Sequence, residues 1–249
     1  METKMPEYFN PKLTDNLLKT LQKEFAEKRY LSVESLFNEF FASELEQFVT
    51  KDTPDSWWLT TSKYAYPQET DPVYLWSTEE NMPAIIEEWE KAHEAFKRGY
   101  FSYQFDRLDV QHVDKCGCLQ CGLFETFLQR SGPMHQFLEK ITGLELGDPG
   151  EIFFSRYKAN QFLAQHHDKD KGIVVFNINL TREWHPSWGG MLHIWDPDKK
   201  EITEIFPPAF NRLVLYDLSE GHRGIEHWVN HVAPKIEKSR YALTGWWKK

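Results

Sequence analysis

Long apolar runs are missing from this chain: no stretch approaches the roughly 18 to 20 consecutive apolar residues of a membrane-spanning helix. The opening residues METKMPEYFNPKLTDN lack the basic-then-apolar profile of a secretory signal, so a soluble, cytoplasmic protein without membrane contact is expected. Cysteine is scarce as well. The three present, Cys116, Cys118 and Cys121, are clustered and odd in number, which argues against a secreted disulfide framework and agrees with a reducing compartment. Positive charge is in deficit, with 29 Lys and Arg against 38 Asp and Glu and a net charge of -9. Without a basic footprint, general binding to nucleic acid is disfavoured, whereas a basic protein or peptide partner is compatible. Internal repeats and low-complexity tracts are also lacking.

Aromatic residues, by contrast, make up 15% of the 249 residues, enough to fill a sizeable core. The expected organisation is one domain over 1–249, with a mainly helical part at 1–149 and a β-rich core at 150–249. From about Pro11 to Phe48 the pattern reads as helix: Leu13, Leu17, Leu18 and Leu21 recur at helical spacing, and Leu36, Phe40, Phe41 and Leu45 form a second amphipathic segment. A further helix is predicted from near Pro83 through Phe96, and another from Leu123 to Ile141. Beyond Gly150 come short β-rich runs, IFFSRY, GIVVFNINL, GMLHIWD, EITEIF, RLVLYDL, EHWVNHV and RYALTGWW, separated by turn residues as in a sandwich or barrel. The fold class is therefore α+β, with a jelly-roll core and N-terminal supporting helices.

Within that core stands QFLAQHHDKD, with His166 and Asp168 two residues apart. In an extended segment, side chains alternate with period two, so this imidazole and carboxylate can reach one metal from the same face. A second histidine would complete a two-His-one-carboxylate set, which leaves three positions of an octahedral ion open and is associated with non-haem Fe(II) oxygenases. Downstream histidines are His185, His193, His222, His227 and His231. Of these, His227 and His231 fall in the apparent strand EHWVNHV, followed by Arg240 on RYALTGWW, which reads as a hairpin. A guanidinium suits that setting because its planar fork binds a carboxylate through two hydrogen bonds.

The segments YKANQFLAQHHD, NINLTREWHPSWGGMLHIWD, FNRLVLYDL and HWVNHVAPKIEKSRYALTGWW, spanning about residues 150 to 249, resemble the prolyl-hydroxylase-like branch of the Fe(II)/2-oxoglutarate-dependent dioxygenases. The resemblance implies a double-stranded β-helix, Fe(II), 2-oxoglutarate and O2 as cofactor and co-substrates, and hydroxylation of an unactivated C–H bond. Carried over by position, His166 and Asp168 are metal ligands, Arg240 anchors 2-oxoglutarate, and Tyr157 contacts the co-substrate or lines its pocket. Trp184, Gly189 and Gly190 match a fold-defining segment, and Asn160 stands where the family often has Gly. For the third ligand, His227 matches the family's His-x-Val pattern and is placed first. His231, nine residues before Arg240, is the alternative. Ile173, Val175, Leu192 and Trp246 are expected in the cavity wall.

The branch points to a prolyl residue in a protein or peptide as substrate. A small-molecule hydroxylase on the same scaffold and a non-catalytic jelly-roll binding module are the competing readings. Separately, Cys116, Cys118 and Cys121 with His112 have the residue types of a structural zinc site, set against three reduced thiols.

Overall fold

The computed structural model describes residues 8–110, 119–168, 170–196, 199–219 and 225–249. Helix α1 (Asp15–Lys28) starts where the Thr14 side chain accepts from the amide of Leu17, and it buries Leu18, Leu21 and Phe25. It stops at Arg29, whose φ of 66° is left-handed, and the chain then enters a strand, β1 (Tyr30–Val33). The expectation of helix throughout Pro11 to Phe48 is therefore corrected. The run YLSV has the aromatic and β-branched residues that suit a pleated surface, and β1 pairs antiparallel with a core strand. Helix α2 (Glu39–Gln47) follows, capped by Asn38.

Strands β2 (Leu59–Tyr64) and β3 (Val73–Trp76) form an antiparallel pair, helix α3 (Met82–Lys97) begins at the predicted proline, and β4 (Ser102–Asp109) comes next. The single helix expected over Leu123 to Ile141 is broken into α4 (Leu119–Gly122), a π-turn at Leu123–Phe127, and α5 (Pro133–Thr142). The break has a local cause. Pro133 disfavours helical backbone at Gly132, which is extended (ψ 172°), and Ser131 before it has φ 63°.

Each β-rich run beyond Gly150 is a strand: β5 (Pro149–Tyr157), β7 (Val174–Asn179), β8 (Leu192–Asp196), β9 (Glu201–Phe206), β10 (Arg212–Asp217), β11 (Glu226–Val229) and β12 (Arg240–Trp247), with β6 (Phe162–His166) between the first two. They form a double-stranded β-helix. One side has the order β1-β10-β7-β12-β5 and the other β6-β11-β8-β9, while β4 pairs with both β5 and β6 and joins the two sides.

Alternation on these strands explains the two cores. On β7, Val174, Phe176 and Ile178 face the helical layer with Phe25, Phe37 and Trp247, whereas Val175 points into the jelly roll with Phe153, Tyr216 and Trp246. Being covered on both faces, these strands read as continuous apolar runs rather than alternating ones. Among the described residues, no helix is long and apolar enough to cross a membrane.

Candidate metal and co-substrate site

His166 closes β6, Asp168 lies two residues further, and His227 on β11 is the direct cross-strand partner of His166. Pairing rather than sequence proximity thus brings the second imidazole in. One ligand atom from each of the three residues lies within 4.8 Å of the others. His166 Nε2 is 3.3 Å from Asp168 Oδ1, His227 Nε2 is 3.5 Å from Asp168 Oδ2, and the two imidazole rings are 4.2 Å apart.

The surroundings fix these groups in orientation and charge. His166 Nδ1 lies 3.0 Å from the carbonyl of Ala164, which directs Nε2 toward the cluster, and Trp246 Nε1 donates to Asp168 Oδ2 (3.1 Å). Burial by itself would raise the Asp168 carboxyl, but the hydrogen bond with His166 and the nearby His227 outweigh it and hold the group well below the usual carboxylate range. Burial, reinforced by His166, pushes His227 down to about 3, so this imidazole is neutral near pH 7 and its lone pair is free for a metal. Two imidazoles and an ionised carboxylate are a donor set that fits a divalent first-row ion.

His231 does not join the cluster. The strand holding His227 ends at Val229, and Val229 and Val232, three residues apart, both pack into the jelly-roll core. Alternation therefore stops before His231, whose ring stacks on Phe162 at 4.1 Å and packs against Phe96 and His93. The hairpin expected between EHWVNHV and RYALTGWW is corrected too. β11 pairs with β6 and β8, and β12 with β5 and β7, so His227 and Arg240 approach from opposite sides of the jelly roll.

Arg240 opens β12 opposite Tyr157 and is 2% exposed. Its guanidinium lies 5.1 Å from the Tyr157 ring centroid, and Nη2 donates to Asn179 Oδ1 at 3.4 Å. Nε and Nη1 are buried without a hydrogen-bond partner among the described residues. A buried cation with unused donors is the natural counterpart of a carboxylate. Burial lowers the Arg240 pKa, but a guanidinium stays charged in proteins, and burial raises Tyr157 and Tyr216, which stay neutral phenols.

One cavity of about 820 Å³ contains His166, Asp168, His227, Tyr157 and Arg240. Val175, Leu192 and Trp246 line it as expected, whereas Ile173 packs against the helix-side core. Sequence reasoning missed Tyr216, Asn177 and Thr244, which also line it; Asn177 Nδ2 donates to Thr244 Oγ1 (2.7 Å). The signal available for Asn177 was a polar residue inside the otherwise apolar run VVFNI.

Asn160 adopts the left-handed backbone (φ 67°) that a Gly would take, and Trp184 Nε1 donates to the carbonyl of Gly189 (2.8 Å), closing the Trp-to-Gly-Gly segment on itself. The candidate zinc ligands His112, Cys116 and Cys118 and the side chain of Cys121 lie outside the described residues, as does His222. His193 stacks on Trp228 at 4.7 Å, and neither it nor His185 lines the cavity.

Comparison with known proteins bears on this geometry. Residues 152–248 match the family described as the 2OG-Fe(II) oxygenase superfamily. A sequence search of curated proteins gave no match. Among solved structures, a prolyl-4-hydroxylase from Pseudomonas putida is similar in fold with a TM-score of 0.56 at 16% identity, covering 94% of this chain and 100% of that one. A Trichoplax adhaerens prolyl hydroxylase, solved with a hypoxia-inducible-factor oxygen degradation domain peptide, has a TM-score of 0.62 at 13% identity, covering 94% and 90% of the two chains. An oxidoreductase of the 2OG-Fe(II) oxygenase family from Burkholderia pseudomallei has a TM-score of 0.60 at 10% identity, with 93% and 90% covered. The matched family implies Fe(II), 2-oxoglutarate and O2, and the His-Asp-His cluster here has a donor set that could hold such a metal. Through its residues 152–248, this chain is thus similar to the 2OG-Fe(II) oxygenase superfamily.

Proposed function

We propose that the protein is an Fe(II)- and 2-oxoglutarate-dependent dioxygenase that hydroxylates a prolyl residue in a protein or peptide. In this reading His166, Asp168 and His227 hold the metal, Arg240 pairs with the far carboxylate of 2-oxoglutarate, and Tyr157 contacts the co-substrate. The observation that carries it is the presence, in one cavity, of a His-Asp-His cluster and a fully buried guanidinium with unused donors. The prolyl assignment draws its support from the two prolyl hydroxylases of similar fold, one of them solved with a peptide.

The bound metal supplies the oxidising chemistry, in which 2-oxoglutarate becomes succinate and carbon dioxide while one atom of O2 enters the substrate C–H bond. The chain's own residues provide binding, orientation and exclusion of water. Trp246 holds one oxygen of Asp168 in place, so the carboxylate presents a fixed face beside the two imidazoles. Arg240 and the neutral Tyr157 phenol fix the co-substrate's far end deep in the cavity, and Val175, Leu192 and Trp246 keep the walls apolar.

The test is Fe(II)-dependent succinate formation by purified protein incubated with cell extract, followed by mass spectrometry for a gain of one oxygen atom. His166→Ala and Asp168→Ala are expected to abolish both signals. Turnover retained in both variants would refute the assignment, and an oxygen gained only by a metabolite would replace the prolyl target with a small molecule.

A further inference from the structure

β4 lies outside the region of the family match, yet it supplies a large part of the cavity wall. Its residues alternate strictly. Ser102, Gln104, Asp106 and Leu108 are buried, with Gln104 donating to the carbonyl of Ile85 on α3 (3.0 Å). The opposite face carries Tyr103 and Phe105, and with Phe101 just before the strand these rings line the catalytic cavity and are only half-buried. They form a continuous file, with centroids 5.8 Å apart between Phe101 and Tyr103 and 5.3 Å between Tyr103 and Phe105. At one end Phe101 meets the ring of His166 at 5.4 Å, and at the other Phe105 stacks with Tyr157 at 5.3 Å. The file thus runs beside the cluster and the co-substrate residues without belonging to either.

We propose that Phe101, Tyr103 and Phe105 are the wall on which the target side chain rests, and that this wall selects an uncharged, apolar side chain such as a prolyl ring. The proposal rests on the hydroxylase reading above and adds the groups that set its substrate class. Half-buried ring faces attract either apolar surface or cations. The cavity already carries its own cations beside the wall: Arg107 lies over Phe153 at 4.4 Å and Lys171 over Trp246 at 4.2 Å. The carboxylates among the described lining residues are engaged too, Glu151 near Arg107 (3.8 Å), Glu226 accepting from Gln165, and Asp168 in the cluster. A lysyl or arginyl target would therefore enter beside like charges with no unengaged carboxylate to meet it. An acidic target would press its charge against the negative faces of three rings. A compact apolar ring meets neither penalty.

The experiment uses the Fe(II)-loaded protein with 2-oxoglutarate and, as probe, the peptide pool from complete proteolysis of a whole-cell lysate, with sites of oxygen gain mapped by mass spectrometry. Oxygen is expected on prolyl residues. Tyr103→Ala and Phe105→Ala are expected to lower that signal about tenfold or more, the scale of one lost ring contact and its apolar burial. Tyr103→Phe, which keeps the ring, should recover most of the loss. Anaerobic titration should show Tyr103→Ala binding Fe(II) and 2-oxoglutarate within about threefold of the parent, which separates the wall from the metal site and from misfolding. Oxygen on lysyl, arginyl or acidic residues, unchanged turnover in the alanine variants, or no modified peptide from protein that binds metal and 2-oxoglutarate would each overturn the proposal. Failure of the parent protein to bind 2-oxoglutarate at all would instead refute the underlying hydroxylase reading, and the wall with it.

Discussion

Replacing Arg240 with Met should separate function from stability at one side chain. The guanidinium is 2% exposed, has a single hydrogen bond at 3.4 Å to Asn179, and has no carboxylate within salt-bridge distance among the described residues. An uncompensated buried charge costs several kcal/mol of effective desolvation, so without ligand Arg240 works against the fold. Methionine keeps an unbranched stem of similar reach and removes the charge. The ligand-free variant should then be as stable as the parent or about 1–2 kcal/mol more stable, raising Tm by roughly 2–8 °C for a chain of this size.

The same substitution strips the co-substrate of its partner. Truncating one member of a buried, hydrogen-bonded charge pair costs about 2–5 kcal/mol, which at about 1.4 kcal/mol per tenfold is a rise in Kd of roughly 30- to 4000-fold. Anaerobic calorimetric titration of Mn(II)-loaded protein with 2-oxoglutarate measures the second effect, and urea unfolding the first. Arg240→Lys, a point charge without the fork, should fall between parent and Met variant in affinity. A Met variant that loses more than about 2 kcal/mol of stability while binding 2-oxoglutarate within about threefold of the parent would refute the reasoning, because Arg240 would then be a structural cation.

Trp246→Phe removes the donor to Asp168 Oδ2 and should weaken Fe(II) binding about 10- to 100-fold, measured by competition with a chelator. His231→Phe should leave metal affinity within about threefold, since His231 lies outside the cluster, and an equilibrium titration checks this. Burial and the neighbouring His93 push His231 down to about 4, so its unfolded form binds a proton first as pH falls. The stability it contributes is complete above about pH 6.5 and is lost as pH drops toward 4. With the ring partly exposed to solvent, the loss amounts to about 1–2 kcal/mol, and His231→Phe should flatten this part of the urea-unfolding pH profile. Gly189 has φ +72°, and a Cβ there would collide with the carbonyl oxygen of His231, so Gly189→Ala should cost about 2 kcal/mol or more in the same assay.

Strand identity beyond Gly150 was legible because each run carries its own local signal of β-branched and aromatic residues bounded by turns. β4 was not read, although FSYQFDRLD alternates cleanly, because it stands between segments with helical periodicity. With it went the aromatic wall.

The sequence by itself determined most of the jelly-roll strands, the His166–Asp168 pair and the need for a second imidazole, since composition, period and spacing are properties of neighbours along the chain; the guanidinium entered through the family resemblance. Only the tertiary structure decided that His227 and not His231 faces Asp168, and that Arg240 arrives from the opposite sheet. The reason is that sheet closure pairs residues across tens of positions. The strand's end at Val229 ended the alternation on which any choice between the two histidines depended.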